Sequence, residues 1–293
     1  MKRCFALLLM SATTALAQSP TELLAKSPAS DWRALDPENT IYMELPGGRV
    51  VIELAATYAP VNSAAVRALA RDKYFDASFV VRVQDNFVVQ WARLEEDERA
   101  KAMAKKTLKP EFARPIDPKL EFTKLPYPDT YAAEVGFSGG FPAARDAKRG
   151  ETWLTHCYGM VGVGRDNAPD SGNGSELYAV IGQSPRPLDR NITVVGRIVQ
   201  GIELLSPLPR GTGALGFYEK PEQRVPIRAV RVAADLPAAE RLALEALRTD
   251  SETFEKLVAS RASRRDDWYK EFSGTVGVCN ITLPVRVAAK PPG

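Results

Sequence analysis

Short runs of alternating apolar and polar residues, each closed off by turn formers, constrain this 293-residue chain more than any other feature. Residues 41–45 alternate, Pro46-Gly47-Gly48 turns the chain, and residues 49–54 alternate again, with Val50, Ile52 and Leu54 on one side and Val51 and Glu53 on the other. Successive side chains of a strand point to opposite faces, so two such runs around a glycine-containing turn predict a β-hairpin. Residues 79–83 and 87–91 are rich in Val and Phe and predict two more strands. Similar runs at 159–163, 177–181, 192–199 and 227–232 predict others. Pro60 opens a helix with Val61, Ala65 and Leu69 at helical spacing, in the first-turn place where the missing N–H costs nothing. Many short strands with one early helix point to an antiparallel barrel or sandwich.

Other stretches depart from that pattern. Residues 93–106 are Glu, Lys and Arg among alanines, a helix former with little apolar face, and read as a solvated helix or loop. Residues 108–150 hold Pro110, Pro115, Pro118, Pro126 and Pro128 and read as a long irregular excursion with short ordered pieces, so that 93–150 form an insertion. From Pro237 the chain sets Leu242, Leu244, Leu247, Phe254, Leu257 and Val258 among charges. That spacing predicts one or two amphipathic helices in a C-terminal helical extension over 236–293, and 276–287 add a strand or a partner-binding edge.

The N-terminus predicts export. Met1-Lys2-Arg3 is a short basic start, residues 4–9 are almost wholly apolar, and Ala15-Leu16-Ala17 offers a small-x-small cleavage site. The apolar run falls well short of the about 20 residues that span a bilayer. Residues 1–17 are therefore expected to be a cleaved signal peptide and residues 18–39 a lead-in to a domain over 40–235. The mature protein is expected to be periplasmic or secreted, with no stable membrane insertion. The net charge of +3 is small and mixed in sign, so there is no nucleic-acid footprint. One histidine, His156, and no CxxC or HxxxH spacing argue against a metal site. Cys157 and Cys279 remain after cleavage. Export favours oxidation, and the spacing leaves open whether they pair or stay two separately buried thiols.

Five segments in the right order resemble the cyclophilins. Residues 48–54 with Ala59-Pro60-Val61-Asn62 and Leu69 are similar to the family's opening strand and helix. Residues 74–90 resemble its central signature, in which an Arg is followed five residues later by Phe and eight residues later by Gln, a spacing held by Arg82, Phe87 and Gln90. Gly159-Met160-Val161-Gly162-Val163-Gly164 resembles the strand lining the binding groove, and Asn173-Gly174-Ser175-Glu176-Leu177-Tyr178 is similar to the family's Asn-Gly-Ser-Gln-Phe-Phe. Leu188-Asp189 followed by Val194-Val195-Gly196-Arg197-Ile198 completes the set. The resemblance implies a mainly-β fold: a closed antiparallel cyclophilin-like β-barrel with capping helices, carrying the insertion and the extension. Departures fall in the groove. Trp91-Ala92-Arg93 stands where the family has Gly-Gly-Asp, Glu176 replaces the groove glutamine, and Tyr178 replaces a phenylalanine. Pro187 stands at a Trp position, Ile192 at a His position, and Arg165 near the usual asparagine.

The activity implied is peptidyl-prolyl cis-trans isomerisation. Amide resonance sets a barrier of about 18–20 kcal/mol to rotation, and no covalent bond breaks, so no nucleophile, metal or cofactor is required. The catalyst must hold the twisted amide better than either planar form. By the resemblance, Arg82 is the catalytic donor, a guanidinium that stays charged and presents fixed N–H groups. Gln90 holds it, and Phe87, Val88, Tyr178 and Leu188 form an apolar socket for proline. Glu176 and Ile192 border the groove, and Gly164 and Arg165 offer backbone groups to an extended peptide. The expected partners are proline-containing exported polypeptides. The altered groove motivates one alternative from another class, a cyclophilin-like peptide-binding or scaffold module with little or no catalysis.

Overall fold

The alternating hairpin forms as its pattern demands. In the computed structural model, which describes residues 19–264 and 268–288, β1 (Thr40–Leu45) and β2 (Gly48–Leu54) pair antiparallel from Thr40↔Glu53 to Leu45↔Gly48. Seven more strands extend it: β3 (Phe79–Val83), β4 (Val88–Ala92), β5 (Met160–Val163), β6 (Leu177–Val180), β7 (Val194–Gln200), β8 (Val225–Pro226) and β9 (Ala229–Val232). They form one nine-stranded sheet in the order β8-β3-β4-β6-β5-β7-β2-β1-β9. Its concave side is a single core in which Ile41, Met43, Val50, Ile52, Val89, Trp91, Val161 and Val195 meet Val66 and Ala70 of the helix Pro60–Arg71.

The two edges, β8 and β9, are near neighbours in sequence. Val225 and Pro226 pair with Val80 and Phe79, the Ile227 amide donates to Ser78 O at 2.9 Å, and the Arg228 amide donates to Glu44 O at 2.8 Å. Ala229 then begins the ladder with β1. The expected closed barrel is therefore a curled sheet whose seam is laced by one segment, not by a direct ladder between β3 and β1. Pro226 has no N–H to continue the pairing, which keeps β8 short.

Both additions seat on the outer face of this sheet. The proline-rich excursion is more ordered than its composition suggests. It forms a five-stranded antiparallel sheet in the order Arg114–Pro115, Glu151–Leu154, Phe141–Asp146, Glu134–Ser138, Thr123–Lys124. Gly139 and Gly140, at φ of +58° and +86°, make the two-residue turn between its central strands, a hairpin signal that prolines nearby obscured. The charged run before it contains the helix Glu98–Ala104, which buries no residue and is capped by Asp97.

The extension is only partly helical. Glu252–Ala262 is a helix that buries Phe254, Leu257 and Val258, as their spacing predicts. Leu244–Leu247, read from sequence as helix, is instead the central strand of a three-stranded sheet between Trp32–Ala34 and Val285–Val287. Leu244 and Ala246 pack with Tyr42 and Val51, the outward residues of β1 and β2, while Leu247 faces a different core. A strand buried on both faces shows no alternation, so periodicity could not separate it from a helix. That other core joins outward residues Val88, Met160, Tyr178, Val180 and Val194 to Phe137 and Trp153 of the insertion and Phe254 and Leu257 of the extension. Cys157 and Cys279 form a disulfide across it, with Cα atoms 4.9 Å apart. The predicted leader, residues 1–17, lies outside the described residues.

Candidate active site

The spacing of eight between Arg82 and Gln90 is a hairpin distance. β3 and β4 fold back on each other so that Arg82 stands opposite Gln90 in the ladder. The turn between them puts Asn86 at φ +51°, a left-handed conformation asparagine tolerates. Asn86 also accepts the Gln183 amide at 2.8 Å and donates to Ser184 Oγ at 2.9 Å, tying the turn to the loop after β6.

All of Arg82's observed acceptors are neutral. Nη1 donates to Gln90 Oε1 at 2.9 Å, Nε donates to Leu215 O at 2.7 Å, and Nη2 donates to Gln84 Oε1. The guanidinium carbon lies 5.7 Å from the Phe87 ring centroid and 5.4 Å from that of Phe217, so it is flanked by two aromatic faces. Burial pulls its pKa below the ordinary arginine value, and the Glu176 carboxylate opposes that shift. Gln90 Nε2 donates to Glu176 Oε1. A carboxylate only accepts, so Glu176 fixes which end of the Gln90 amide faces Arg82. Burial in turn raises the Glu176 pKa, against the pull of the Gln90 hydrogen bond.

The predicted socket residues divide. Phe87 is half-buried beside Arg82, whereas Val88 and Tyr178 are only 2% and 4% exposed and form a floor continuous with the insertion core. The Tyr178 ring lies across Gly162, where an added Cβ would stand 2.2 Å from it. Its hydroxyl is 2.8 Å from His156 Nε2, while His156 Nδ1 lies 3.0 Å from Asp189 Oδ1. With the Asp189 carboxylate accepting from Nδ1–H, the other ring nitrogen is left to pair with the Tyr178 hydroxyl. Burial pushes the Tyr178 hydroxyl pKa up, and Asp189 adds to it. Asp189 also accepts from Arg186 Nε at 2.8 Å, and Arg186 forms a two-pronged pair with Asp129 at 2.9 and 3.0 Å.

Glu176, Gly164 and Arg165 share one cavity of about 390 Å³ with Tyr74, Arg93 and Ser175. The Gly164 N–H is already donated to Glu176 O at 2.9 Å, leaving its carbonyl for a peptide. The Arg165 side chain is spent on Asn191 O and Asp166 O at 2.9 and 2.6 Å. Ile192 is half-buried against the core that contains Val88 and Tyr178, and Leu188 is half-buried at the end of the 3-10 turn Arg186–Leu188. Sequence reasoning missed Gln84, Leu215 and Phe217 around Arg82, and the partners of His156. The glycines at 211, 213 and 216 were the available signal for a tight loop there.

The family model for cyclophilin type peptidyl-prolyl cis-trans isomerase/CLD matches residues 40–232. The chain belongs to the cyclophilin family. Among curated relatives of this cyclophilin, a probable peptidyl-prolyl cis-trans isomerase of Brucella suis is 24% identical over 181 residues, covering 62% of this chain and 76% of the relative. One of Brucella abortus matches over the same shares. Among solved structures, cyclophilin AquaCyp293 from Hirschia baltica shares the fold at a TM-score of 0.70 and 24% identity, covering 94% of this chain and 100% of its own.

Proposed function

We propose that this cyclophilin accelerates X-Pro isomerisation in exported polypeptides, with Arg82 as the catalytic donor and Gln90 as its positioning residue. The carrying observation is a guanidinium held in a fixed pose by neutral oxygens only. Its charge is left for the substrate carbonyl and for the prolyl nitrogen as that nitrogen becomes pyramidal. Phe87 borders the prolyl ring, with Val88 and Tyr178 beneath it. Residues 1–17 read as a leader, and the Cys157–Cys279 pair suits an oxidising compartment, which together support action on exported chains in the periplasm or outside the cell.

The test is exchange spectroscopy on a proline peptide. Wild-type protein is expected to speed interconversion, and Arg82→Ala to lower kcat/KM by about 10²–10³, the effect of removing one preorganised donor. The deep burial of Val88 and Tyr178 favours a second reading, a peptide-binding module with little catalysis. Peptide binding without any acceleration by the wild-type protein selects it.

A further inference from the structure

The loop that closes over Arg82 carries an apolar lip. Leu215 is 65% exposed and Phe217 41% exposed, although both adjoin the half-buried Arg82. Leu215 holds φ at +55°, a conformation rare for an aliphatic residue, and its carbonyl accepts from Arg82 Nε. The loop is preformed. The Gly213 amide donates to Phe217 O at 3.1 Å, the Gly216 amide to Gly213 O at 3.0 Å, and the Phe217 amide to Ala214 O at 3.1 Å. Backbone crowding leaves no slack: a Cβ on Gly211 would stand 2.0 Å from Gly216 O, and one on Gly216 would stand 2.8 Å from Val83 O. Tyr218, buried, anchors the far side through its amide to Val81 O at 2.9 Å and its hydroxyl to Pro209 O at 2.6 Å.

A rigid loop that keeps two large apolar side chains in solvent loses burial for them, and a ligand recovers it. Along the sheet the order is β5, which ends beside Gly164, then β6 with Tyr178, β4 with Gln90 and β3 with Arg82. A peptide whose leading residues lie by Gly164, and whose prolyl amide meets Arg82, next runs onto the loop beyond β3.

We propose that Leu215 and Phe217 are specificity-determining residues that select a large apolar side chain on the residue following the substrate proline. This rests on the isomerase reading of the Arg82 site. The chemistry is contact alone: the incoming side chain covers Leu215 and the outer face of Phe217, whose inner face already meets the guanidinium. Neither side chain offers a hydrogen bond, so a polar residue of the same length has nothing to replace its lost water.

The experiment compares two neutral peptides, Ala-Ala-Pro-Leu-Ala and Ala-Ala-Pro-Gln-Ala, by exchange spectroscopy and by titration for Kd. The full-length mature protein is expected to favour the Leu peptide by about five- to tenfold in kcat/KM, a gap of the size set by one apolar contact. Leu215→Asn keeps the backbone carbonyl and suits positive φ better than leucine, so the loop is retained while the lip becomes polar. It is expected to bring the ratio to near one, and Phe217→Ala to halve it or more. A wild-type ratio near one, or a ratio that survives Leu215→Asn, overturns the proposal. Discrimination in Kd with no exchange on either peptide removes the isomerase reading and leaves the lip standing.

Discussion

Two arginines near the groove are held in opposite ways. Arg82 is half-buried, and its observed acceptors are uncharged oxygens of Gln90, Gln84 and Leu215. Arg186 is 6% exposed and is clasped by Asp129 and Asp189, with His156 and Tyr178 completing the network. Their proton affinities move in opposite directions. Burial lowers Arg82, whereas burial of Arg186 is outweighed by its two carboxylate partners and its pKa rises. A guanidinium with no carboxylate bonded to it, and Glu176 only beyond Gln90, keeps field to spend on a ligand, whereas one clasped directly by two carboxylates braces the fold. On the proposed isomerase reading, the contrast separates the working side of the groove from its foundation.

The largest test of that contrast is Arg186→Ala. Two buried carboxylates would lose their cation, at a cost of about 3–5 kcal/mol, read as a shift in the urea midpoint. If this variant instead folded with wild-type stability and lost only turnover, the two arginines would not differ as described. Removing the disulfide with Cys157→Ser and Cys279→Ser is expected to cost about 2–4 kcal/mol, because it closes a long loop between the segment just after the insertion and the extension. Arg82→Ala should move the same midpoint far less than the disulfide pair does. Tyr178→Phe leaves a buried His156 nitrogen without its hydrogen-bond partner and should cost about 1–3 kcal/mol by the same measurement.

The smallest effect sharpens the comparison through pH. Glu176, raised by burial, holds its proton more tightly folded than unfolded. Stability therefore falls as pH climbs from the ordinary carboxylate value through the raised one. For Asp129, burial pushes upward but the Arg186 hydrogen bonds and charge prevail, so its pKa is lowered and stability is lost on acidification instead. Glu176→Gln should flatten the first slope, add about 1 kcal/mol or less above that window, and leave the acid limb unchanged in denaturation curves taken across pH. A flattened acid limb would show the two sites to be coupled.

Sequence carried some of this further than the rest, and the reason is distance along the chain. The Arg82–Gln90 pair was legible through its resemblance to the family's signature, a spacing the β3–β4 hairpin realises by setting the two residues opposite each other. The β1–β2 alternation was legible because Ile41, Met43, Val50 and Ile52 fill one core. Leu215 was not, since it reaches Arg82 across 133 residues and carries no local pattern beyond its glycines. The strand Leu244–Leu247 misled because partners from both ends of the chain, Trp32–Ala34 and Val285–Val287, override its local preference. Of the altered positions, Glu176 and Tyr178 do neighbour Gln90, whereas Trp91 is buried in the concave core, and none foretold that His156 would meet the Tyr178 hydroxyl.

The laced seam sets an order of assembly. Residues 225–232 supply both margins of the sheet, and the other seven strands precede them in sequence. A chain emerging from its amino end therefore holds an almost complete wall with two raw borders until this last short stitch arrives. Raw borders recruit foreign strands. The molecule is most exposed to tangling with its neighbours just before this seam is closed, and a stop between Gln200 and Val225 would make that moment permanent.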